Sequence, residues 1–335
     1  MIEIDGLKGG GQMLRTALSL SVITGENFRM ENIRGSREGP GLKKQHLEAV
    51  KAAKRLSDAE VEGCEEDSTR LEFKPGNYRS EDFTVNIGTA GSTTLILDTI
   101  VPIATQFDDD FRITVKGGTD VKWSPSSAYW KHVKLELLRN YGLNASTQIE
   151  RTGFYPKGNG EIEFNYKPSS LGKLDLTNKG ELREVEIYSK CSKDLAKDNV
   201  ASRQADKAAK KIKKNFPSLK VDKNVSIVNS SSPGSSVCIK AIYQDSLAGF
   251  DNIGERGKRS ETVAEEAVEE FLEFHRSESA VDKYMADQLM VFLALVGGKI
   301  AVKELNPHIS TNLSVINKFG FDIEVEEKER TYLKG

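Results

Sequence analysis

The residues best suited to chemistry lie near the end of the chain, in Asn306-Pro307-His308-Ile309-Ser310-Thr311-Asn312-Leu313. A strand-like run, 299–305, precedes them, and Pro307 ends it because proline has no N–H for a ladder. Ile309, Leu313, Ile316 and Phe319 then fall on one face of a helix that Gly320 stops. Ser310 or Thr311 is the expected cap. His308 therefore sits at the mouth of a helix, where free N–H groups and the dipole favour anions. An imidazole held there resists protonation and keeps a lone pair near neutral pH. Such a group suits nucleophilic attack on a phosphoryl centre. The plainer alternative is a loop histidine that only caps a helix.

Other groups could serve the same chemistry. Gly9-Gly10-Gly11 opens a helix, and its backbone N–H groups could cradle a phosphate, with Arg15 one turn further in. A simple tight turn explains the triplet equally well, and no P-loop pattern occurs anywhere in the chain. Arg34, Arg37, Lys43, Lys44 and His46 form a basic cluster around a glycine-rich turn. Guanidinium forks suit a terminal phosphate monoester, although a solvated helix face would also look like this. Trp123, Pro125, Tyr129 and Trp130 follow a second glycine turn and could stack a base or fill a core. Tyr284, Asp287 and Gln288 open an otherwise apolar helix and need polar partners there. The lysines at 207, 210, 211, 213 and 214 read as a solvated face rather than an RNA track.

The elements that must carry these residues recur in a fixed order. Residues 1–73 read strand, helix, strand, helix, strand, strand, and residues 83–166 repeat that order. A third copy is split. Its first strand is 173–176 or 183–189, and it resumes with a helix at 279–296, a strand at 299–305, a helix at 310–319 and a strand at 321–327. Between its halves lies a segment with a lysine-rich helix (202–215), strands at 221–228 and 236–244, and an acidic helix (261–274). This predicts an α/β protein with a main unit, 1–184 and 276–335, and a small inserted α/β domain, 185–275.

The chain has 335 residues, 38% of them hydrophobic and 29% charged, which suits a globular protein with a sizeable core. Its longest apolar run, Leu289 to Val296, falls far below the ~18 residues that span a bilayer. No secretory signal is visible, and three scattered cysteines fit a reducing cytosol. A net charge of −2 gives no global nucleic-acid signature, so any RNA contact is local. The sequence carries no sign of a membrane partner or of a particular oligomeric state.

Seven ordered motifs give the chain a specific resemblance. They are Gly9-Gly10-Gly11-Gln12-Met13-Leu14-Arg15, Arg34-Gly35-Ser36-Arg37 with Pro40-Gly41-Leu42 and Gln45-His46, Gly88-Thr89-Ala90-Gly91-Ser92, Gly117-Gly118-Thr119-Asp120, Gly153-Phe154-Tyr155-Pro156, Tyr284-Met285-Ala286-Asp287-Gln288, and the His308 segment. In this order they resemble the RNA 3'-terminal phosphate cyclase family. The resemblance implies three βαβαββ units, as in enolpyruvyl transferase-like folds, plus one small inserted domain. It implies ATP as cofactor, RNA 3'-phosphate ends as partner, and a covalent histidine–AMP intermediate on His308. By the same resemblance Tyr284, Met285, Ala286, Asp287, Gln288, Asp98 and Pro125 hold the nucleotide, and Arg15, Arg34, Arg37, Gln45 and His46 hold the RNA end. A divalent cation, Mg²⁺ or Mn²⁺, is also implied, with no identifiable protein ligand. Relatives have glutamate where this chain has Lys8, and glutamine where it has Asp98. A non-catalytic cyclase-like factor that binds RNA during ribosomal RNA processing is the alternative, and its lack of a nucleophilic histidine sets it apart. A small-molecule transferase on the same repeated fold would leave the His308 motif unexplained.

Overall fold

A computed structural model describes residues 1–335 as a mixed α/β protein. The first unit runs β1 (Ile2–Asp5), α1 (Gly11–Thr24), β2 (Phe28–Glu31), α2 (Lys44–Ser57), β3 (Glu60–Glu62) and β4 (Leu71–Lys74). The second runs β5 (Phe83–Asn86), α3 (Thr93–Ala104), β6 (Phe111–Gly117), a helix in three pieces, β7 (Ala145–Arg151) and β8 (Gly160–Tyr166). The pieces are α4 (Ser127–Tyr129), a π-turn at Trp130–Lys134 and α5 (Leu135–Asn140). Next come β9 (Leu174–Leu176), β10 (Leu182–Ser192), α6 (Val200–Asn215), β11 (Lys220–Val228), β12 (Ser235–Tyr243), β13 (Leu247–Ile253) and α7 (Ser260–Arg276). The chain closes with α8 (Lys283–Gln288), α9 (Met290–Val296), β14 (Gly298–Val302), α10 (Pro307–Lys318), β15 (Glu324–Glu327) and β16 (Thr331–Lys334).

Three four-stranded sheets share one order. They are β1-β2-β4-β3, β5-β6-β8-β7 and β9-β14-β16-β15. In each the first pair is parallel and the others are antiparallel. The third sheet settles which strand begins the split copy, since Leu174–Leu176 pairs with β14 while β10 joins a different sheet. That fourth sheet, β11-β10-β12-β13, contains a strand the sequence pattern missed, β13. Its Leu247-Ala248-Gly249-Phe250 run is continuously buried, so it lacks the alternation that marks a half-exposed strand. β16 was missed likewise, beyond the expected last strand at 321–327.

Helix α1 is the hub. It packs on α2, α3 and α10, so the helices of all three units meet around it. Thr16 and Ser19 are buried polar residues on this helix, and both have partners. Thr16 Oγ1 donates to Asn312 Oδ1 at 3.0 Å on α10, and Ser19 Oγ donates to Thr99 O at 3.0 Å on α3. One apolar cluster of 66 buried residues runs through the three units, and a separate cluster of 18 lies beneath α6 and α7. The smaller cluster lies between α6, α7 and the fourth sheet, while Cys238 and Leu247 of that sheet belong to the larger one. No helix is long and apolar enough to cross a membrane.

Several local expectations need correction. Asn306 is the cap of α10, its Oδ1 accepting from Ile309 N at 2.9 Å, with Pro307 in the first turn. Ser310 and Thr311 instead lie inside the helix, where their hydroxyls donate back to Asn306 O and Pro307 O. The expected 279–296 helix breaks at Leu289 into α8 and α9, and it begins only after Asp282, which caps it. The expected strand to 305 ends at Val302.

Candidate active site

The loops that follow the parallel strands carry the candidate residues. Residues 6–10 follow β1, 32–43 follow β2, 88–92 follow β5, 118–126 follow β6 and 303–306 follow β14. Each of these loops delivers the chain to a helix start on the same side of the sheets; Ser92, Ser126 and Asn306 cap α3, α4 and α10, whereas α1 has no side-chain cap.

Helix α1 begins at Gly10 with no side-chain cap, which leaves its first N–H groups open. A Cβ at Gly11 would lie 2.6 Å from His46 Nε2 and 3.1 Å from Arg15 Nη1. A Cβ at Gly10 would lie 2.6 Å from Gln12 Oε1 and 3.5 Å from Arg37 Nη2. The glycines thus let Arg15, Arg37 and His46 close on the helix mouth. His46 is buried, and its Nδ1 accepts from Lys43 N at 3.1 Å. Burial, then the charges of Arg34, Arg15 and Lys43, pull it down to about 3. It is therefore neutral, with its proton assigned to Nε2, the nitrogen that faces Gly11.

His308 lies in the first turn of α10 with half of its side chain exposed, and its Nδ1 is 3.8 Å from Asp287 Oδ2. Burial, with help from Arg37 and Arg15, lowers its pKa below the ordinary histidine range. The contact is accordingly not a salt bridge near neutral pH. Asp287 is 17% exposed, and burial pushes it up to about 7 against the pull of Arg15 and Lys134, with Asp98 reinforcing the rise. α1 and α10 are held in register by Gln12 Nε2 donating to Thr311 Oγ1 at 3.2 Å, and Asn312 Nδ2 donates to Asp287 O at 3.3 Å.

The remaining candidates divide. Tyr284 is exposed, with the Lys283 ammonium 4.7 Å from its ring centre. Gln288 Oε1, at the end of the same helix, is buried without a hydrogen-bond partner. Met285 and Ala286 instead point into the apolar core. Asp98 pairs with Lys134 at 2.7 Å, and both side chains are nearly excluded from solvent. Arg34 Nη1 donates to Gly39 O and Gly41 O, which folds its loop, whereas Arg37 is exposed. Gln45 Oε1 accepts from Ser92 N at 2.6 Å and so joins the first unit to the start of α3. Pro125 O accepts from Thr94 Oγ1 at 2.9 Å. Tyr129 and Trp130 are core.

Sequence reasoning missed Lys134. Asp98 interrupts a strongly apolar helical run and so calls for a buried counter-charge, but Lys134 stands among Lys131, His132, Glu136 and Arg139, and nothing in the sequence marks it as that partner.

No group of three His, Cys, Asp or Glu side chains could hold a cation, and Lys8 is exposed on the loop before the glycines. The residues present do not fit a protein-held divalent ion. What they build is a cationic helix mouth facing a neutral imidazole, an arrangement suited to phosphoryl transfer.

Comparison with known proteins gives this class its family. The family model for RNA 3'-terminal phosphate cyclase matches residues 7–326. A protein of that name from Halobacterium salinarum is 36% identical over 340 residues, covering 98% of each chain. Others from Saccharolobus solfataricus and Saccharolobus islandicus are 41% identical over 332 residues, covering 97% of this chain and 96% of theirs. The chain belongs to the RNA 3'-terminal phosphate cyclase family.

Proposed function

We propose that this protein is an ATP-dependent RNA 3'-terminal phosphate cyclase. The observation that supports this most is the neutral, half-exposed His308 beside Asp287, with Arg15 and Arg37 near enough to depress its pKa. In this reading Asp287 orients the imidazole through Nδ1, and Nε2 attacks the α-phosphate of ATP. The P–N bond forms as the bond to pyrophosphate breaks. An oxygen of the RNA 3'-phosphate then takes the adenylate and releases the histidine. The neighbouring 2'-hydroxyl attacks the activated phosphorus, AMP leaves, and a 2',3'-cyclic end remains. A phosphate monoester is a poor electrophile until one oxygen belongs to a good leaving group, so the first two steps prepare the third. Positioning and charge neutralisation by Arg15, Arg37, His46 and the α1 N–H groups do the rest. Tyr284 and the unpaired Gln288 side chain would take the base and ribose. No step here needs a protein-held cation.

The same reading takes 1–184 and 276–335 as the catalytic body and 185–275 as an inserted unit, supported by the separate apolar cluster. The test is incubation with ATP labelled at the α-phosphate, with Mg²⁺ or Mn²⁺, followed by a denaturing gel. An acid-labile label on the wild type that vanishes in His308→Ala is the expected result. A wild-type chain that takes no label with either metal, yet binds RNA, would make it a non-catalytic RNA-binding relative, the alternative that His308 argues against and that the Lys8 and Asp98 departures keep alive.

A further inference from the structure

Trp123 is 95% exposed and Tyr155 75% exposed. These are the most exposed large apolar side chains of the protein. A tryptophan loses a large hydrophobic benefit by standing in water, and Trp123 does so from a left-handed backbone, φ 62°, that a bulky residue ordinarily avoids. The two rings stand on loops that are joined at their bases. Thr119 N donates to Gly153 O at 2.9 Å, and Gly153 N donates to Thr119 Oγ1 at 3.0 Å. Lys157, exposed and without an ion pair, follows Tyr155 on the same loop.

This pair of loops continues the candidate site. A Cβ at Gly158 would lie 2.8 Å from Ala90 Cα, so the Tyr155 loop rests on the 88–91 loop. That loop runs into Ser92, whose N–H is held by Gln45 at 2.6 Å, next to His46. A contiguous surface therefore leads from the cationic helix mouth, across residues 88–92, to Tyr155. A chain whose phosphate end occupies the mouth has its preceding residues on this surface. Exposed rings offer π-faces to any base without hydrogen-bond selection, and a nearby lysine meets the backbone charge.

We propose that Tyr155 and Trp123 are a stacking platform for the nucleobases that precede the 3'-terminal phosphate of RNA, with Lys157 against the connecting phosphates. The proposal rests on the cyclase reading above and adds where the body of the substrate lies. It makes the enzyme favour longer single-stranded ends irrespective of sequence.

The test is binding of 5'-fluorescein-labelled, 3'-phosphorylated RNAs by anisotropy, comparing a dinucleotide with a longer single strand. In the wild type the longer strand binds on the order of tenfold more tightly or better. In the Trp123→Ala/Tyr155→Ala double variant that advantage disappears, while dinucleotide binding and ATP labelling of His308 remain at wild-type levels. Trp123→Phe/Tyr155→Phe restores most of it. Trp130 is buried, so quenching by added iodide reports Trp123, and the longer RNA should protect it. A length advantage that survives the double alanine variant overturns the platform. So does an equal loss for the dinucleotide, or a fall in ATP labelling, which would assign Trp123 to the nucleotide. A wild type that forms neither labelled His308 nor cyclic ends would sink the cyclase reading alone, since anisotropy still decides the platform.

Discussion

Two largely buried aspartates behave in opposite ways, and the difference separates the framework from the site. Asp120 is fully buried where the second sheet meets the fourth. It accepts from Thr119 Oγ1 and Ser127 Oγ at 2.7 Å and from Ser236 Oγ at 2.8 Å, and it faces the Lys190 ammonium at 3.4 Å. Burial alone would raise its pKa, but Lys190 and these hydroxyls together hold it below the ordinary range. Asp287 accepts no comparable set, and burial pushes it up to about 7. Near it are an unpartnered Gln288 oxygen, a half-exposed histidine and an uncapped helix α1. A network satisfied by the protein is structural. One left incomplete, where desolvation prevails, is what the proposed cyclase reading expects of its nucleotide site.

The largest effect expected from this contrast is at Asp120. Asp120→Leu leaves Lys190 buried without its counter-charge, and stability in urea should fall by about 3–5 kcal/mol. Adding Lys190→Met should restore much of it. A loss under ~1 kcal/mol in the single variant would show the network to be slack.

Asp287 gives a pH signature of the opposite kind. Its folded pKa, about 7, lies above the unfolded value of 3.8, so the native state binds more protons between them. Stability must then fall as pH rises through that window, by at most about 1.4 kcal/mol per unit. Asp287→Asn removes this slope, so denaturation curves of variant and wild type should diverge from pH 4 to 7 in favour of the variant and run parallel above. Parallel curves throughout would mean that Asp287 keeps its ordinary carboxylate pKa in the folded protein.

Gly11→Ala is expected to act on the reaction more than on the fold. The added methyl meets His46 Nε2 at 2.6 Å and must displace that buried ring or Arg15. His308 labelling should drop on the order of tenfold, with a stability change near 1 kcal/mol. Unchanged labelling would remove the glycine mouth from the chemistry. The smallest effect belongs to Gln288. Gln288→Met relieves a buried acceptor that has no partner, so the free protein should keep or slightly gain stability, within ~1 kcal/mol, while the ATP concentration for half-maximal labelling rises. A clear loss of stability would mean that Gln288 is already satisfied in the free protein.

Much of this was legible early. The apolar spacing of α1, α2, α6, α7 and α10, with glycine stops at 25 after α1 and 320 after α10, fixes those helices locally, because a helix is read from nearest neighbours along one face. The end of β14 and the start of α10 followed from Pro307 and its neighbours to within a turn. The strands buried on both sides, such as β13, were not legible, since a continuous apolar run carries no period. Nor was the choice between 174–176 and 183–189 as the opening strand, because pairing partners are more than a hundred residues apart.

The sequence by itself determined the α/β class, the recurring order of elements and the placement of His308 at a helix mouth. These depend on residue type and short-range spacing, which the chain carries before it folds. Only the tertiary structure decided which charges meet. It set Lys134 on Asp98, Asp287 beside His308, and Arg15, Arg37 and His46 around Gly10 and Gly11. It also decided that Asp287 rises to about 7 while Asp120 stays low. Proton affinity depends on what surrounds a carboxylate in space, and those surroundings come from elements far apart in the chain.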